Sequence, residues 1–589
     1  MPHRVHLFSL NIGHALRESC FAGNYSAAKF RKDLLAGLTI GVIAIPLAMA
    51  LAIASGVAPQ YGIYTAIVGG FLIALTGGSR FSISGPTAAF VVILYPVSQQ
   101  YGLGGLMLAG LMAGVILLLM AFLRLGRYIE YIPEPVTLGF TGGIAVVIAT
   151  LQIKDLLGLP NAEMPEHYLD KVLLLAQHLP DVQWPSVAVG GTTLAIMLLW
   201  PRLKTPVPAH LPALLLGSII AVMLNNYGFV VDTIDSRFSY LLADGSLGRG
   251  IPPLLPNFSW PWLQPGPDGT PLPINLALIQ ALLPEAFAIA MLCAIESLLC
   301  AVVLDGMSGT RHSANSELLG QGIGNIVVPF FGGITATAAI ARSATNYKAG
   351  ATSPVAAMVH ALVVLLVLVG FSSLLGYLPM PAMAALLLVV AWNMSEAAKS
   401  VHLLRTSPAG DVWVFLTCFS LTVMLDMVIA VTVGILLASI LFMKSIADMT
   451  RLQEITDNAR YVDQPVPENW QVFKVTGPLF FAAADKVFSE LMSKCAAGCG
   501  AIVSLESTTV LDAGGVTALS RLIEHCQRSG AKIVLTDVHF QPLRTMAKAK
   551  IAPIEGVFRL YPQLEDAVQA IRTDTIRLPE TRHADGGLA

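Results

Sequence analysis

The chain has 589 residues, of which 55% are hydrophobic and 12% charged. A soluble globular chain carries about 25% charged residues. Half of that, with a mean hydropathy of +0.69, excludes a single soluble body and puts most of the polypeptide in lipid. The formal net charge of −2 argues against a nucleic-acid binder and selects no other partner.

The N-terminal segment, 1–33, is polar, with Arg17, Lys29, Arg31 and Lys32, and lacks the apolar core and cleavage site of a signal peptide. The first apolar segment is therefore expected to span the membrane. A span needs roughly 20 apolar residues. Clear candidates lie near 34–54, 103–123, 136–153, 186–201, 212–230, 281–304, 355–376, 411–428 and 430–447. Shorter or broken ones lie near 61–76, 84–98, 316–331, 335–347 and 381–397. These fourteen segments make a transport domain over 34–449 with both termini on one side.

Lys and Arg choose that side. Arg31, Lys32, Arg80, Arg124, Arg127, Arg202, Lys204, Arg311, Lys348, Lys399, Arg405, Lys444 and Arg451 fall on the side of the termini, against Lys154, Lys171, Arg237 and Arg249 on the other. Both termini are expected to be cytoplasmic. The Pro-rich stretch 232–273 is expected to be an outward-facing loop between halves, and Asp426 an interfacial residue at the outer end of a hairpin.

Two short segments are rich in helix punctuation. One is Ser82-Ile83-Ser84-Gly85-Pro86-Thr87-Ala88-Ala89-Phe90; the other is Gly332-Gly333-Ile334-Thr335-Ala336-Thr337-Ala338-Ala339-Ile340. Their Thr-Ala-Ala triplets are 250 positions apart, and the same offset maps Pro46 onto Glu296. A seven-plus-seven repeat follows, inverted because seven is odd. Each broken helix would present unpaired N–H groups and a positive dipole end near mid-membrane. Two facing ends make an anion site. Thr87 and Thr337, with the N–H groups of Ala88, Ala89, Ala338 and Ala339, are expected to line it. The alternative is that these small residues serve tight helix packing, which does not explain why both segments are short.

Glu296 lies in an apolar run with no cation within four residues. A carboxylate at mid-bilayer costs about 2.5–3.5 kcal/mol or more and marks a functional site by default. It is the candidate proton-coupling residue; the alternative is a structural acid bonded to a neighbouring helix. Arg342, after the second broken helix, has three readings: positive charge behind the anion site, an ordinary cytoplasmic-side cation, or a partner of Glu296.

Composition shifts after Met449. Strands are expected at 472–475, 501–505 and 532–535, and helices at 516–526 and 564–571, making a cytoplasmic α/β domain over 461–573 with a disordered tail at 574–589. The seven Cys residues suggest neither a disulfide framework nor a zinc site, and Cys495-x-x-x-Cys499 has no partnering His. No nucleotide loop, metal cluster or nucleophile constellation points to an enzyme or a cofactor. A membrane-anchored sensor needs neither paired broken helices nor a lone intramembrane acid.

Pro59-Gln-Tyr-Gly62-Ile-Tyr64, Gly78-Ser79-Arg80, Gly85-Pro86, and Thr337 through Asn346 together resemble the SulP anion-transporter family. The 461–573 region, with Leu511-Asp512-Ala513-Gly514-Gly515 at its signature loop, resembles the STAS domain that ends most of its members. The resemblance implies fourteen spans in a seven-plus-seven inverted repeat, a core domain rocking against a gate domain, and a homodimer. It also implies a substrate site of Pro46, Ser84, Gly85, Pro86, Thr87, Ala88, Ala89, Thr337, Ala338, Ala339 and Arg342. Stretches such as 45–52 and 295–307 resemble a bacterial dicarboxylate transporter. Proton-coupled uptake of a small dicarboxylate such as succinate at a bacterial inner membrane is therefore expected, with sulfate or bicarbonate as the alternative anion. Three departures stand out. Leu47 replaces the Gln found in many members, which removes a polar contact. Glu296 and Cys300 stand where the sodium-coupled bicarbonate branch has Asp and Thr, which favours protons. Ala513 replaces the phosphorylatable Ser of STAS proteins of the anti-sigma-antagonist type, so that switch is absent; a cytoplasmic protein partner of the domain stays open.

Overall fold

The computed structural model describes residues 10–573, except 23–24, 161–163, 166, 204, 206, 242–245, 426 and 495–497, and the side chains of 129, 130, 241 and 427. Asp426, Lys204, Cys495 and the 574–589 tail lie outside the described residues. The chain divides into two compact units, Met1–Ile435 and Leu436–Ala589.

The first unit is helical. Helix α1 (Ala27–Ala54) starts at Ser26, whose side chain accepts from the Lys29 N–H. Helix α2 runs through Pro59–Tyr64, a π-turn at Thr65–Gly69, and Gly70–Thr76. After strand β1 (Ser84–Gly85) comes α3 (Ala88–Phe122), broken at Gly102 with φ 65°. Then follow α4 (Glu134–Leu157), α5 (Tyr168–Gln177), α6 (Trp184–Leu199) and α7 (His210–Asn226). The 232–273 loop carries a hairpin of β2 (Ser239–Leu241) and β3 (Leu247–Arg249). The second half holds α8 (Leu276–Ser308), α9 (Ala314–Val327), β4 (Thr337–Ala338), α10 (Ile340–Lys348), α11 (Val355–Gly376), α12 (Met380–Met394), α13 (Ala397–Thr406), α14 (Ala409–Met424) and the first part of α15 (Met427–Met449), which runs on into the second unit after Ile435. Counting the two halves of α3 separately, and with α5 and α13 as short connecting helices, helical segments stand at all fourteen expected positions. Among the described residues, eight helices are long and apolar enough to cross a membrane by themselves.

Two packing groups separate. Helix α1 packs on α11 and α2, and α3 packs on α8 and α9, whereas α4 packs on α12 and α14 and α6 on α7 and α12. Small residues permit the closest approaches. A Cβ on Gly37 would lie 2.6 Å from the Ala356 carbonyl oxygen, and one on Gly41 2.6 Å from Val363. This is the small-xxx-small contact that holds helices together in lipid, where hydrophobic burial gives no preference for protein over solvent.

The second unit is a five-stranded sheet ordered β5 (Arg451–Glu454), β6 (Trp470–Thr476), β7 (Gly500–Ser507), β8 (Lys532–Thr536) and β9 (Phe558–Tyr561). Strands β6 to β9 are parallel and β5 is antiparallel to β6. Helices α16 (Phe481–Lys494), α17 (Ala513–Ser529), α18 (Phe540–Lys548) and α19 (Leu564–Arg572) complete it. One face buries Phe473, Phe488, Leu522 and Phe558; the other buries Ile455, Trp470 and Val472. The sheet thus begins at Arg451, ten residues before the expected start at 461. Helices α16 and α18 and strands β5 and β9 are additions to the expected elements.

Candidate functional site

The two interrupted segments meet. Strands β1 and β4 pair antiparallel, Ser84 opposite Ala338 and Gly85 opposite Thr337. Each continues directly into a helix: Thr87 is the N-cap residue of α3 and Ala339 that of α10, and neither makes a side-chain cap bond. The first N–H groups of both helices therefore lack the usual cap acceptor beside a shared two-strand crossing. One expected donor is already engaged: the Ala339 N–H bonds the Ile83 carbonyl at 3.1 Å, because Ala339 extends the strand pairing.

Both repeat-matched threonines reach α8. The Thr87 hydroxyl donates to Glu296 Oε2 at 2.9 Å. The Thr337 hydroxyl donates to the Cys293 carbonyl at 3.2 Å, one turn away. Glu296 is half-buried rather than sealed, and Arg342 lies within electrostatic reach of it. Pro46 is buried in mid-α1.

Arg342 is 4% exposed and donates through one terminal nitrogen to the Pro86 carbonyl at 2.6 Å. Its Nε and Nη1 are buried without a hydrogen-bond partner. A Cβ on Gly85 would lie 3.2 Å from Nη1, so glycine lets the guanidinium approach the strand. Arg342 is thus not an exposed cation, and no ion pair with Glu296 forms among the described residues. Cys300 is buried, with its sulfur 3.9 Å from the Ser82 hydroxyl.

The buried polar side chains that hold this crossing from α9 and α10 are not among the expected site residues. Glu317, Gln321 and Asn325 lie at four-residue spacing on α9, each no more than 1% exposed. The Glu317 carboxylate accepts the Gly78 and Ser79 N–H groups at 2.9 Å each and Gln321 Nε2 at 3.0 Å. Gln321 also donates to the Ser84 hydroxyl at 3.3 Å. Asn325 clamps Ala336, accepting its N–H and donating to its carbonyl, both at 2.8 Å. On α10, Ser343 accepts the Ile83 N–H at 2.9 Å and Asn346 donates to the Phe81 carbonyl at 3.0 Å. The ring of His360 stands beside Gly70 of α2, where α2 approaches the Ser84 carbonyl of β1, and both its nitrogens are buried without a hydrogen-bond partner. Polar residues at every fourth position of an apolar span are the signal that could have found the α9 set.

A polytopic helical chain with two interrupted helices meeting at a polar crossing, followed by a separate α/β unit, defines the class of membrane anion carriers with a C-terminal STAS domain. The sequence matches the sulfate permease family over residues 30–418 and the STAS domain over 461–567. The chain belongs to the sulfate permease family. It is 38% identical over 525 residues to the Bacillus subtilis (strain 168) protein named "Putative sulfate transporter YvdB", covering 89% of this chain and 94% of that protein. It is 27% identical over 583 residues to the bicarbonate transporter BicA of Picosynechococcus sp., covering 92% and 97%. The solved transmembrane domain of a cyanobacterial BicA superposes with a TM-score of 0.58 at 26% identity, covering 70% of this chain and 98% of that one. Murine Slc26a9 superposes with a TM-score of 0.80 at 18% identity, covering 95% and 94%, which is a likeness of fold.

Proposed function

We propose that the protein is a secondary active transporter that takes up a small dicarboxylate such as succinate together with protons, across a bacterial inner membrane with both termini in the cytoplasm. One observation carries the anion site: Arg342 is buried beside Gly85 with two nitrogens unpartnered. A buried charged donor without an acceptor is costly, and an anion at the crossing would satisfy it together with the first N–H groups of α3 and α10. Thr87 and Thr337 set the width of the crossing by their bonds to α8. Glu296, bonded to Thr87 at 2.9 Å, supports proton coupling: a protonated carboxyl tolerates a neighbouring anion, whereas an ionised one repels it. Substrate and proton then bind together.

Sulfate or bicarbonate is the second reading, favoured by the names of the relatives. Uptake into proteoliposomes under an imposed pH gradient, with succinate, sulfate and bicarbonate compared, separates them. Gradient-driven succinate accumulation is expected. Sulfate or bicarbonate transport that ignores the gradient would overturn both the substrate and the coupling.

A further inference from the structure

A groove of about 650 Å³ lies between α2, the end of α9 and α11. Every side chain that lines it is apolar, and two of them, Phe71 and Leu362, are 40% and 53% exposed, so the groove opens on the outside of the helix bundle. One end is capped by aromatic rings. Phe331 lines the groove and meets Phe258 edge-on at 6.0 Å, and Phe258 stacks on Phe330 at 5.8 Å. Trp260 and Trp262, stacked on each other at 4.8 Å, pack on the same Phe330. The Ser259 N–H fixes the loop there by donating to the Phe330 carbonyl at 2.7 Å.

This loop lies beside α2, not beyond its end. The Tyr64 ring faces Gly332, next after Phe331, and its hydroxyl donates to the Leu254 carbonyl at 3.4 Å. Tyr64 is five residues inside the Pro59 end of α2, about 8 Å along the axis. From Ile251 to Pro284 the sequence carries a single charged residue, Asp268. Leu254, Leu255, Phe258, Trp260 and Leu263 are nonetheless exposed. So large an apolar surface marks an interaction site, and tryptophans above an apolar groove are the pattern of a membrane interface.

We propose that this groove binds one acyl chain of a membrane phospholipid, with the Phe258–Trp262 cluster at the level of its glycerol and headgroup. At this depth the surrounding fluid is lipid, and a concave surface left unfilled forfeits dispersion contacts. The chain bears on Ile67 and Val68, in the π-turn of α2. The same turn supports the crossing from its other side. The Thr65 hydroxyl accepts the Ile334 N–H at 2.7 Å, and a Cβ on Gly85 would lie 3.6 Å from Ala66 Cα and 3.2 Å from Arg342 Nη1. The lipid therefore steadies the wall behind the anion site, a role that rests on the reading of the Arg342 crossing as that site.

The cap is tested with the full chain in phosphatidylcholine vesicles, with or without bromine high on one acyl chain. The tryptophan emission lost in the double variant Trp260→Phe, Trp262→Phe belongs to the cluster. Bromine should quench it and aqueous iodide should not. Quenching by iodide would put the cluster in water, and quenching by neither would put a second copy of the chain over it; either result overturns the proposal. The groove is tested in a steroidal detergent, which has no acyl chain to lend, by titration with dioctanoyl phosphatidylcholine. The melting temperature of the parent should rise and saturate. Val68→Phe fills the groove and Leu362→Trp blocks its exposed opening, and both should melt like the lipid-free parent without that rise. A rise retained in both refutes the site. In the parent, saturating lipid should tighten binding of the transported anion at least about fivefold in isothermal titration, the low end of such couplings; equal affinity with and without lipid overturns the supporting role. Arg342→Gln keeps the two readings apart. It should abolish anion binding and leave the lipid-dependent rise intact, whereas anion binding that survives it sinks the central site and not the groove.

Discussion

The Thr87 hydroxyl donates to the Glu296 carboxylate at 2.9 Å, joining the N-cap of one interrupted helix to the acid in the apolar part of α8. Under the proposed uptake mechanism, the bond ties substrate geometry to the charge of Glu296, since Thr87 also opens α3 at the crossing. An anion entering a negative-inside cell works against the potential at about 2.3 kcal/mol per charge per 100 mV, so accumulation needs a co-transported cation. Glu296→Gln keeps an acceptor for Thr87 and fixes the neutral state. It should retain substrate exchange and lose accumulation driven by a pH gradient. Retained gradient-driven accumulation in this variant would reduce Glu296 to a structural acid.

Arg342→Lys tests the anion site with charge held constant. Lysine carries a point charge and cannot present the guanidinium fork to both an anion and the Pro86 carbonyl. Substrate affinity should fall about tenfold or more, equivalent to at least ~1.4 kcal/mol, with little change in melting temperature. Equal affinity in isothermal titration of parent and variant would show that Arg342 acts only through Pro86.

Much of this architecture was legible. The paired Thr-Ala-Ala triplets gave the crossing because a fixed offset between two broken segments is a pattern in the chain itself. Glu296 stood out because lipid makes any lone acid conspicuous. The α9 set was only partly legible: the four-residue spacing of Glu317, Gln321 and Asn325 is in the sequence, but only the fold reveals that the backbone groups they satisfy belong to Gly78, Ser79 and Ala336. The N–H of Ala339 was misassigned because strand pairing with Ile83 is a long-range event. Strand β5 escaped because its charged sequence, Arg451-Leu-Gln-Glu454, has only one apolar side chain, Leu452, to place on the core; it reads as linker, and pairing with β6 makes it a strand.

Asn325→Leu removes the clamp on Ala336. It leaves the buried Ala336 N–H unsatisfied, at about 1–3 kcal/mol, and its carbonyl with only the weak Cys293 thiol donor at 3.5 Å. The melting temperature in detergent should drop, and substrate affinity should fall with it because Ala336 adjoins Thr337. Asn325→Asp keeps only the acceptor and should lie between parent and Leu. A parent-like melt for Asn325→Leu would remove the clamp from the account of the crossing.

In the STAS unit, Lys474 Nζ lies 2.6 Å from Glu506 Oε2 and holds that carboxyl below its usual range. A depressed carboxyl stabilises the fold above its unfolded pKa, near 4.3, and that contribution disappears as pH falls through the lower folded value. Glu506 is largely exposed, so the contribution is within about 1 kcal/mol. Glu506→Gln should therefore melt slightly below the parent near neutral pH and together with it once both are below the folded pKa. A gap that widens on acidification would have the wrong sign for this pair.

The start of the STAS fold gives the final prediction. The sheet takes in Arg451–Glu454, paired from Arg451 opposite Thr476 to Glu454 opposite Phe473. Ile455, next in sequence, is 1% exposed and packs with Trp470 and Val472. A fragment beginning at 450 keeps both; one beginning at 461 loses an edge strand and the burial of an Ile, worth about 1.5–3 kcal/mol. Both fragments retain the Phe473, Phe488 and Phe558 face, so both should fold. The shorter should melt several degrees lower, since about 1 kcal/mol shifts the melting temperature of a domain this size by roughly 4–8 °C. It should also associate more readily, because β6 becomes an unprotected edge. Scanning calorimetry and sedimentation on the two fragments check both effects. Identical melts would mean that 451–460 is linker after all.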